Sequence, residues 1–257
     1  MLPNMVFGAA DAGLLGQAID SVGSLRFCPA LAAWLHCIVP FDHTVVFGYH
    51  GASKPIELYD DFPPDRRKIF VNDYVVGPYL LDPFYKGAML PVEQGLYRLG
   101  DLAPDRFYQG EYFRTYYKRT EIAEEIGFFS AIGEGYQVVW SLMRKEKLFS
   151  APAFRRLGQV APVVVALIRK HWAKIANDRN LHDSPPAEIA GPGLERLTRR
   201  ELEIVSYILR GHSSEATGQD LGISAGTVRI HRRNIYAKLE ISSQRELFSR
   251  FLAGVSI

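Results

Sequence analysis

Apolar residues recur at three- and four-residue intervals over residues 14–22 and 27–37, the period that turns one side of a helix toward a core. The pattern then changes to alternation. Residues 44–49 and 56–59, separated by His50-Gly51-Ala52-Ser53-Lys54-Pro55, predict a β-hairpin, and residues 128–132 with 136–143 around Gly133-Glu134-Gly135 predict a second. A long aromatic-rich stretch of helical and loop character lies between them. Residues 153–174 predict a closing helix with a broad apolar face, kinked or restarted at Pro162. The order of elements predicts an α+β fold in which helices cover an antiparallel sheet.

Periodicity then stops. Residues 177–194 carry polar side chains, three prolines and two glycines, and read as a linker between a domain at 1–176 and a second at 195–257. The second is all helical by its own punctuation. Thr198 and Glu201 form a capping-box pair before a helix that stops at Gly211. Ser213 or Ser214 caps a second helix ending near Leu221, Gly222-Ile223 makes a tight turn, and Ser224 caps a third. The third buries Val228, Ile235 and Leu239, and a fourth, over residues 243–252, offers Leu247, Phe248, Phe251 and Leu252.

Charge is distributed to match this division. The net charge of +2 hides an excess at the C-terminus, where residues 195–257 hold ten basic and seven acidic side chains. Arg229 and Arg233 share a face of the third helix, and an arginine near the start of a helix can donate two parallel hydrogen bonds to guanine. A solvated helix face explains the same arginines equally well when they are considered alone.

The sequence Leu197-Thr198-Arg199-Arg200-Glu201, with Gly211, Leu221-Gly222-Ile223-Ser224, Thr227-Val228, His231-Arg232, Asn234-Ile235 and Lys238-Leu239, resembles the LuxR-type helix-turn-helix over about sixty residues. That resemblance implies a four-helix domain whose third helix enters the major groove of double-stranded DNA. It assigns base reading to Arg229 and Arg233, a base edge to Ile230, and phosphates to Thr227, Arg232 and Lys238. The fourth helix commonly contributes to dimerisation, so a homodimer is expected. Thr217-Gly218 departs from the Ile-Ala pair usual in the second helix, which predicts a less stable helix there.

Residues 70–117 hold a dense set of aromatics around Asp82-Pro83. Aromatics fill cores, and an Asp before Pro starts ordinary turns. Aromatic walls with one directed carboxylate also make a small-molecule pocket. The segment resembles, more weakly, the autoinducer-binding domain of quorum-sensing LuxR regulators, in which an Asp-Pro pair follows a Trp and a Tyr and precedes another Trp. By that resemblance Phe70, Tyr74, Asp82 and Tyr97 are ligand-binding positions, and Tyr79 and Tyr85 join them as aromatic walls. Phe70 and Tyr97 stand where the family has tryptophan, which shifts the expectation from an acyl-homoserine lactone toward an amine-type or other polar metabolite, as in a LuxR solo. Asp82 with tyrosine faces would hold a cation by ion pairing and cation–π attraction. Glu121, Glu124 and Glu125, following Tyr116-Tyr117, could serve the same purpose, although a solvated helix face is the favoured reading of them.

Composition removes other classes. Apolar runs such as residues 163–168 are short against the ~20 residues of a membrane span, and no signal-peptide pattern opens the chain, so a cytoplasmic protein is expected. Cys28 and Cys37 match no zinc or disulfide spacing and read as buried small hydrophobes. No metal site, cofactor or catalytic residue is expected: His50, Asp82 and Glu134 are the acid–base candidates, with no nucleophile elbow or phosphate loop beside them. A receiver domain would need an acidic pair and phosphoacceptor in alternating βα order, and Asp60-Asp61 is followed by Phe62-Pro63-Pro64 instead. An N-terminal domain that only dimerises or binds a protein remains the alternative to a sensor.

Overall fold

The computed structural model describes residues 9–90, 93–173 and 189–254. Two helices, α1 (Ala9–Asp20) and α2 (Phe27–Ile38), precede the hairpin β1 (His43–His50) and β2 (Ile56–Asp60). A chain of short helical turns follows, containing α3 (Pro64–Arg67), α4 (Pro83–Met89) and α5 (Leu99–Leu102), with strand β3 (Gly95–Arg98) running directly into α5. The hairpin β4 (Glu124–Gly133) and β5 (Tyr136–Arg144) and the helix α6 (Ala151–His171) complete the first unit.

The five strands form one antiparallel sheet in the order β2-β1-β5-β4-β3. Alternation along each strand divides two apolar layers. Val46, Ile126, Phe128, Val138, Trp140 and Leu142 face α1, α2 and α6, whereas Val45, Phe47, Tyr49, Phe129, Val139 and Met143 face the aromatic turns of residues 62–117. The result is an α/β/α sandwich, as the alternation predicts. Strand β3 falls within the stretch expected to be helix and loop. Its four residues are half-buried and carry too short an alternation to be distinguished from loop, and pairing with residues 126–129 of β4 defines it as a strand.

Three further expectations change. Glu124 and Glu125 begin β4 instead of lying on a helix, and Glu121 sits in a left-handed conformation just before it. Cys28 is buried, but Cys37 is exposed on α2, its thiol against the Asp11 carboxylate at 2.8 Å. The helix α6 runs through Pro162 as one element of 21 residues, long and apolar enough by composition to cross a membrane. Its apolar side, from Ala153 to Ile168, instead packs on the sheet, which makes it a core helix.

Of the stretch expected to be a linker, residues 177–188 lie outside the described residues, and Leu194 at its end is buried with the helices that follow; these form a bundle of α7 (Arg199–Arg210), α8 (Ser214–Leu221), α9 (Ala225–Leu239) and α10 (Gln244–Gly254). Each cap has the expected chemistry. Thr198 and Glu201 exchange hydrogen bonds in a capping box, and Ser213 and Ser224 accept from backbone amides three residues on. Gly211 and Gly222 end α7 and α8 at φ of 94° and 64°, a region open to glycine at little cost. In α8, Thr217 is buried and its hydroxyl donates to the Ser213 carbonyl at 2.7 Å. A Cβ on Gly218 would lie 2.7 Å from the Ile223 carbonyl, so the glycine fits the tight turn into α9.

Candidate ligand cavity and DNA-binding face

Between the sheet and the aromatic turns lies a small cavity of about 40 Å³, lined by Phe47, Tyr49, Phe70, Tyr74, Asp82, Tyr112, Tyr116, Tyr117, Glu125 and Ser141 among others. Local geometry places Asp82. It precedes Pro83 at the start of α4, and its Oδ1 accepts from the Phe84 amide at 2.8 Å while its Oδ2 accepts from the Tyr74 hydroxyl at 2.6 Å. Tyr49 lies 3.1 Å from the same Tyr74 hydroxyl. Each carboxylate oxygen has two acceptor sites, so these bonds leave Asp82 capacity for a ligand donor.

Glu125 is the second carboxylate. It is 8% exposed, its Oε2 accepts from the Tyr117 hydroxyl at 3.3 Å, and Ser141 also hydrogen-bonds to it. The strand parity that sends Phe129 toward the aromatic turns sends Glu125 the same way. Between them Gly127 leaves room for Phe84, whose ring would be 2.8 Å from an added Cβ.

Among the described residues, no lysine, arginine or histidine lines this cavity. Burial raises the Asp82 carboxyl to about 6, offset in part by the hydrogen bonds from Tyr74 and the Phe84 amide. Burial, and then the neighbouring Asp82 charge, pushes the Glu125 carboxyl up to about 8. A bound cation would lower both, because an opposite charge nearby favours the ionised form.

Of the six expected ligand-binding residues, Phe70, Tyr74 and Asp82 line the cavity. Tyr79, Tyr85 and Tyr97 do not. Tyr79 packs edge-on against Tyr85 and Tyr74, and Tyr85 against Tyr49, forming a buried layer behind the lining. Tyr97 packs on Phe129, and its hydroxyl donates to the Glu93 carbonyl at 2.8 Å. Tyr49 was not singled out by sequence, and Glu125 entered only as the less favoured alternative to a solvated face; the signal for both was strand parity, which directs them to one face. Of the other acidic residues, Glu124 pairs with Arg98, and Glu121 with Arg66. His50 stacks on Tyr136, and neither it nor Glu134 lines the cavity with Asp82.

On α9, Arg229, Ile230, Arg233 and Lys238 are exposed, and Thr227 and Arg232 are partly so. Ile230 is an exposed large apolar side chain on an otherwise polar face. Two of the basic groups have partners within the bundle. Arg229 pairs with Glu215 of α8, and the Lys238 amine donates to the Glu201 carboxylate at 2.7 Å, tying α9 to the capping box of α7. Arg232 lies over the Tyr236 ring, 6.0 Å from its centroid.

The sensor-side aromatic turns touch the bundle at the end of α7. The Arg106 amide donates to the Gly211 carbonyl at 3.0 Å, the Ser213 amide to Asp105 at 3.0 Å, and the Arg210 guanidinium to the Leu80 carbonyl at 3.1 Å. Leu80 lies two residues before Asp82, so the ligand cavity and the DNA-binding bundle share one short segment.

The model of the bacterial regulatory proteins of the luxR family matches residues 195–251. An Aeromonas salmonicida protein named as an HTH-type transcriptional regulator in the exeN 3′ region is 31% identical over 183 residues, 66% of this chain and 93% of that protein. The chain belongs to the LuxR family of transcriptional regulators. A monoamine regulon transcriptional regulator of Klebsiella aerogenes is 44% identical over 110 residues, 43% of this chain and 41% of that protein. The VqsR ligand-binding domain from Pseudomonas aeruginosa superposes with a TM-score of 0.56 at 25% identity, covering 66% of this chain and all of that one. This LuxR-family regulator therefore joins a sensor-type α/β/α domain to a DNA-binding helix-turn-helix.

Proposed function

We propose that this regulator is a cytoplasmic homodimer that binds a small cationic metabolite, an amine in preference to an acyl-homoserine lactone, and that occupancy controls operator binding. The observation that carries the ligand class is the pair of carboxyl groups, half-buried Asp82 and buried Glu125, facing one aromatic cavity with no basic side chain in its lining among the described residues. An ammonium group would donate hydrogen bonds to both carboxyl groups and pair with the charge they carry, and the rings of Tyr49, Tyr74, Tyr112 and Tyr116 would add cation–π attraction of roughly 0.5–2 kcal/mol each. The name of the Klebsiella aerogenes relative, which refers to monoamines, points the same way.

A cavity of about 40 Å³ holds little more than water, and ligand pockets usually measure about 300–1,000 Å³, so binding requires aromatic side chains to rotate outward. That small volume also favours a second reading, in which the aromatic cluster is a filled core and the domain only dimerises or binds a protein.

In the DNA-binding half, Arg229, Arg233 and Ile230 would face base edges, and Thr227, Arg232 and Lys238 the phosphates. Arg229 and Lys238 would exchange Glu215 and Glu201 for DNA on binding. In a dimer, each α9 would meet one half-site of a palindromic operator. A thermal-shift screen of the full chain against amines, amino acids and acyl-homoserine lactones tests the ligand class. Stabilisation by amines that disappears in Asp82→Ala supports it, and stabilisation by lactones alone overturns it. No shift from any compound favours the filled core.

A further inference from the structure

A second, larger cavity of about 420 Å³ lies between the two halves of the molecule. Lys86 of α4 lines it from the sensor side, and Arg210, at the end of α7, from the DNA-binding side. Tyr207, Leu81 and Pro83 supply apolar wall. The two cations lack anionic partners: among the described residues, no carboxylate forms an ion pair with either. Arg210 spends its Nε on the Leu80 carbonyl and Nη1 on Ser206 at 3.3 Å, both neutral acceptors. Asp220 and His212 also line the cavity, and the Asp220 carboxylate lies 4.0 Å from the His212 ring.

An exposed lysine and a half-buried arginine that face one cavity repel each other, and an anion between them would relieve that repulsion. Burial, and after it the Arg210 charge, lowers the affinity of Lys86 for its proton, and burial does the same to Arg210. Asp220 offsets only part of this at Lys86. Asp82 belongs to the walls of both cavities, yet its carboxylate is turned to Tyr74 and the Phe84 amide, so it does not neutralise the cleft.

We propose that this cleft is a second effector site, which takes a small anion bearing a carboxylate or phosphate between Lys86 and Arg210. The bound anion bridges the sensor and DNA-binding halves and adds to the three hydrogen bonds that already join them. It is independent of the cation cavity, although one residue, Asp82, separates the two.

The test uses the full chain at constant ionic strength, with inorganic phosphate followed by phosphorus NMR line width and succinate by saturation-transfer NMR. The expected result is saturable one-site binding of at least one probe, weakened tenfold or more in Lys86→Gln and restored in Lys86→Arg, with neither variant unfolding at a lower temperature than the parent chain in anion-free buffer. Phosphate alone or succinate alone identifies the anionic group. Absence of saturable binding by both probes, or binding to Lys86→Gln within threefold of the parent chain, overturns the proposal.

Discussion

Replacing Glu125 by Gln removes a buried charge without changing its shape, and the structure sets the size and sign of the effect. The Glu125 carboxyl rises from 4.5 to about 8 on folding. The native state therefore holds a proton that the unfolded chain has released, and stability falls as pH rises from about 4.5 to 8. At about 1.4 kcal/mol per unit, the loss reaches about 2 kcal/mol at pH 6 and about 4 kcal/mol at pH 8. Glu125→Gln is free of it. The advantage of the variant over the parent chain should widen by about 2 kcal/mol between those two pH values, or roughly 4–8 °C in Tm for a protein of this size. Subtracting one melting curve from the other cancels His43, His171 and His212, whose lowered affinities for protons make stability rise with pH below their ordinary range. A gap that stays constant from pH 6 to pH 8 would refute the idea that Glu125 is a buried, proton-holding wall of the cavity. The same variant should lose amine binding, a combination of greater stability and lost function that marks a binding group.

Gly211→Ala should be unfavourable twice over. It places a side chain at φ 94° and sets its Cβ 2.9 Å from the Phe107 Cα, so a loss of about 1–3 kcal/mol is expected together with faster proteolysis at the junction. Thr198→Ala removes the cap of α7 and should cost about 1 kcal/mol in denaturant titration; an unchanged midpoint would contradict the capping box. Arg229→Ala should relax sequence preference as well as affinity, whereas Lys238→Ala should weaken matched and scrambled DNA about equally. Lys238→Ala also frees the Glu201 carboxylate, so its melting temperature should fall while that of Arg229→Ala changes little. Identical behaviour of the two variants in a salt-titrated binding series would end that division of roles.

The DNA-binding half was legible because its information is local. Thr198, Ser213, Ser224, Gly211 and Gly222 each mark a helix end through bonds to residues a few positions away, and periodicity of 3.6 residues supplied Val228, Ile235 and Leu239 as its core. The sandwich was legible in outline for a similar reason, since alternation defines a hairpin within ten residues. Strand β3 was hidden because only its partner β4, about thirty residues later, makes it a strand.

The site was half legible. Asp82 announces itself beside Pro83, but Glu125 lies in a run of acidic residues whose sequence looks like a solvated helix. Burial of Glu125 follows from the register of β4 against β5, where it stands opposite Met143, and from the aromatic turns that cover that face. Tyr97 shows the reverse case: its spacing from Asp82 matches a ligand-binding position of the family it resembles, while its hydroxyl donates to the Glu93 carbonyl outside the cavity lining. Spacing along the chain predicts contact within a helix or hairpin and loses force where the backbone changes direction every few residues, as it does over residues 62–117.

The most direct test of the account is the affinity of the full chain for its operator, selected from random DNA, measured by fluorescence anisotropy with and without the amine that most stabilises the protein. The account predicts a change in Kd of at least tenfold at saturating amine, abolished in Asp82→Ala and Glu125→Gln while both variants still bind DNA. An operator affinity indifferent to the amine, in a protein that demonstrably binds it, would contradict the claim that the sensor domain controls DNA binding.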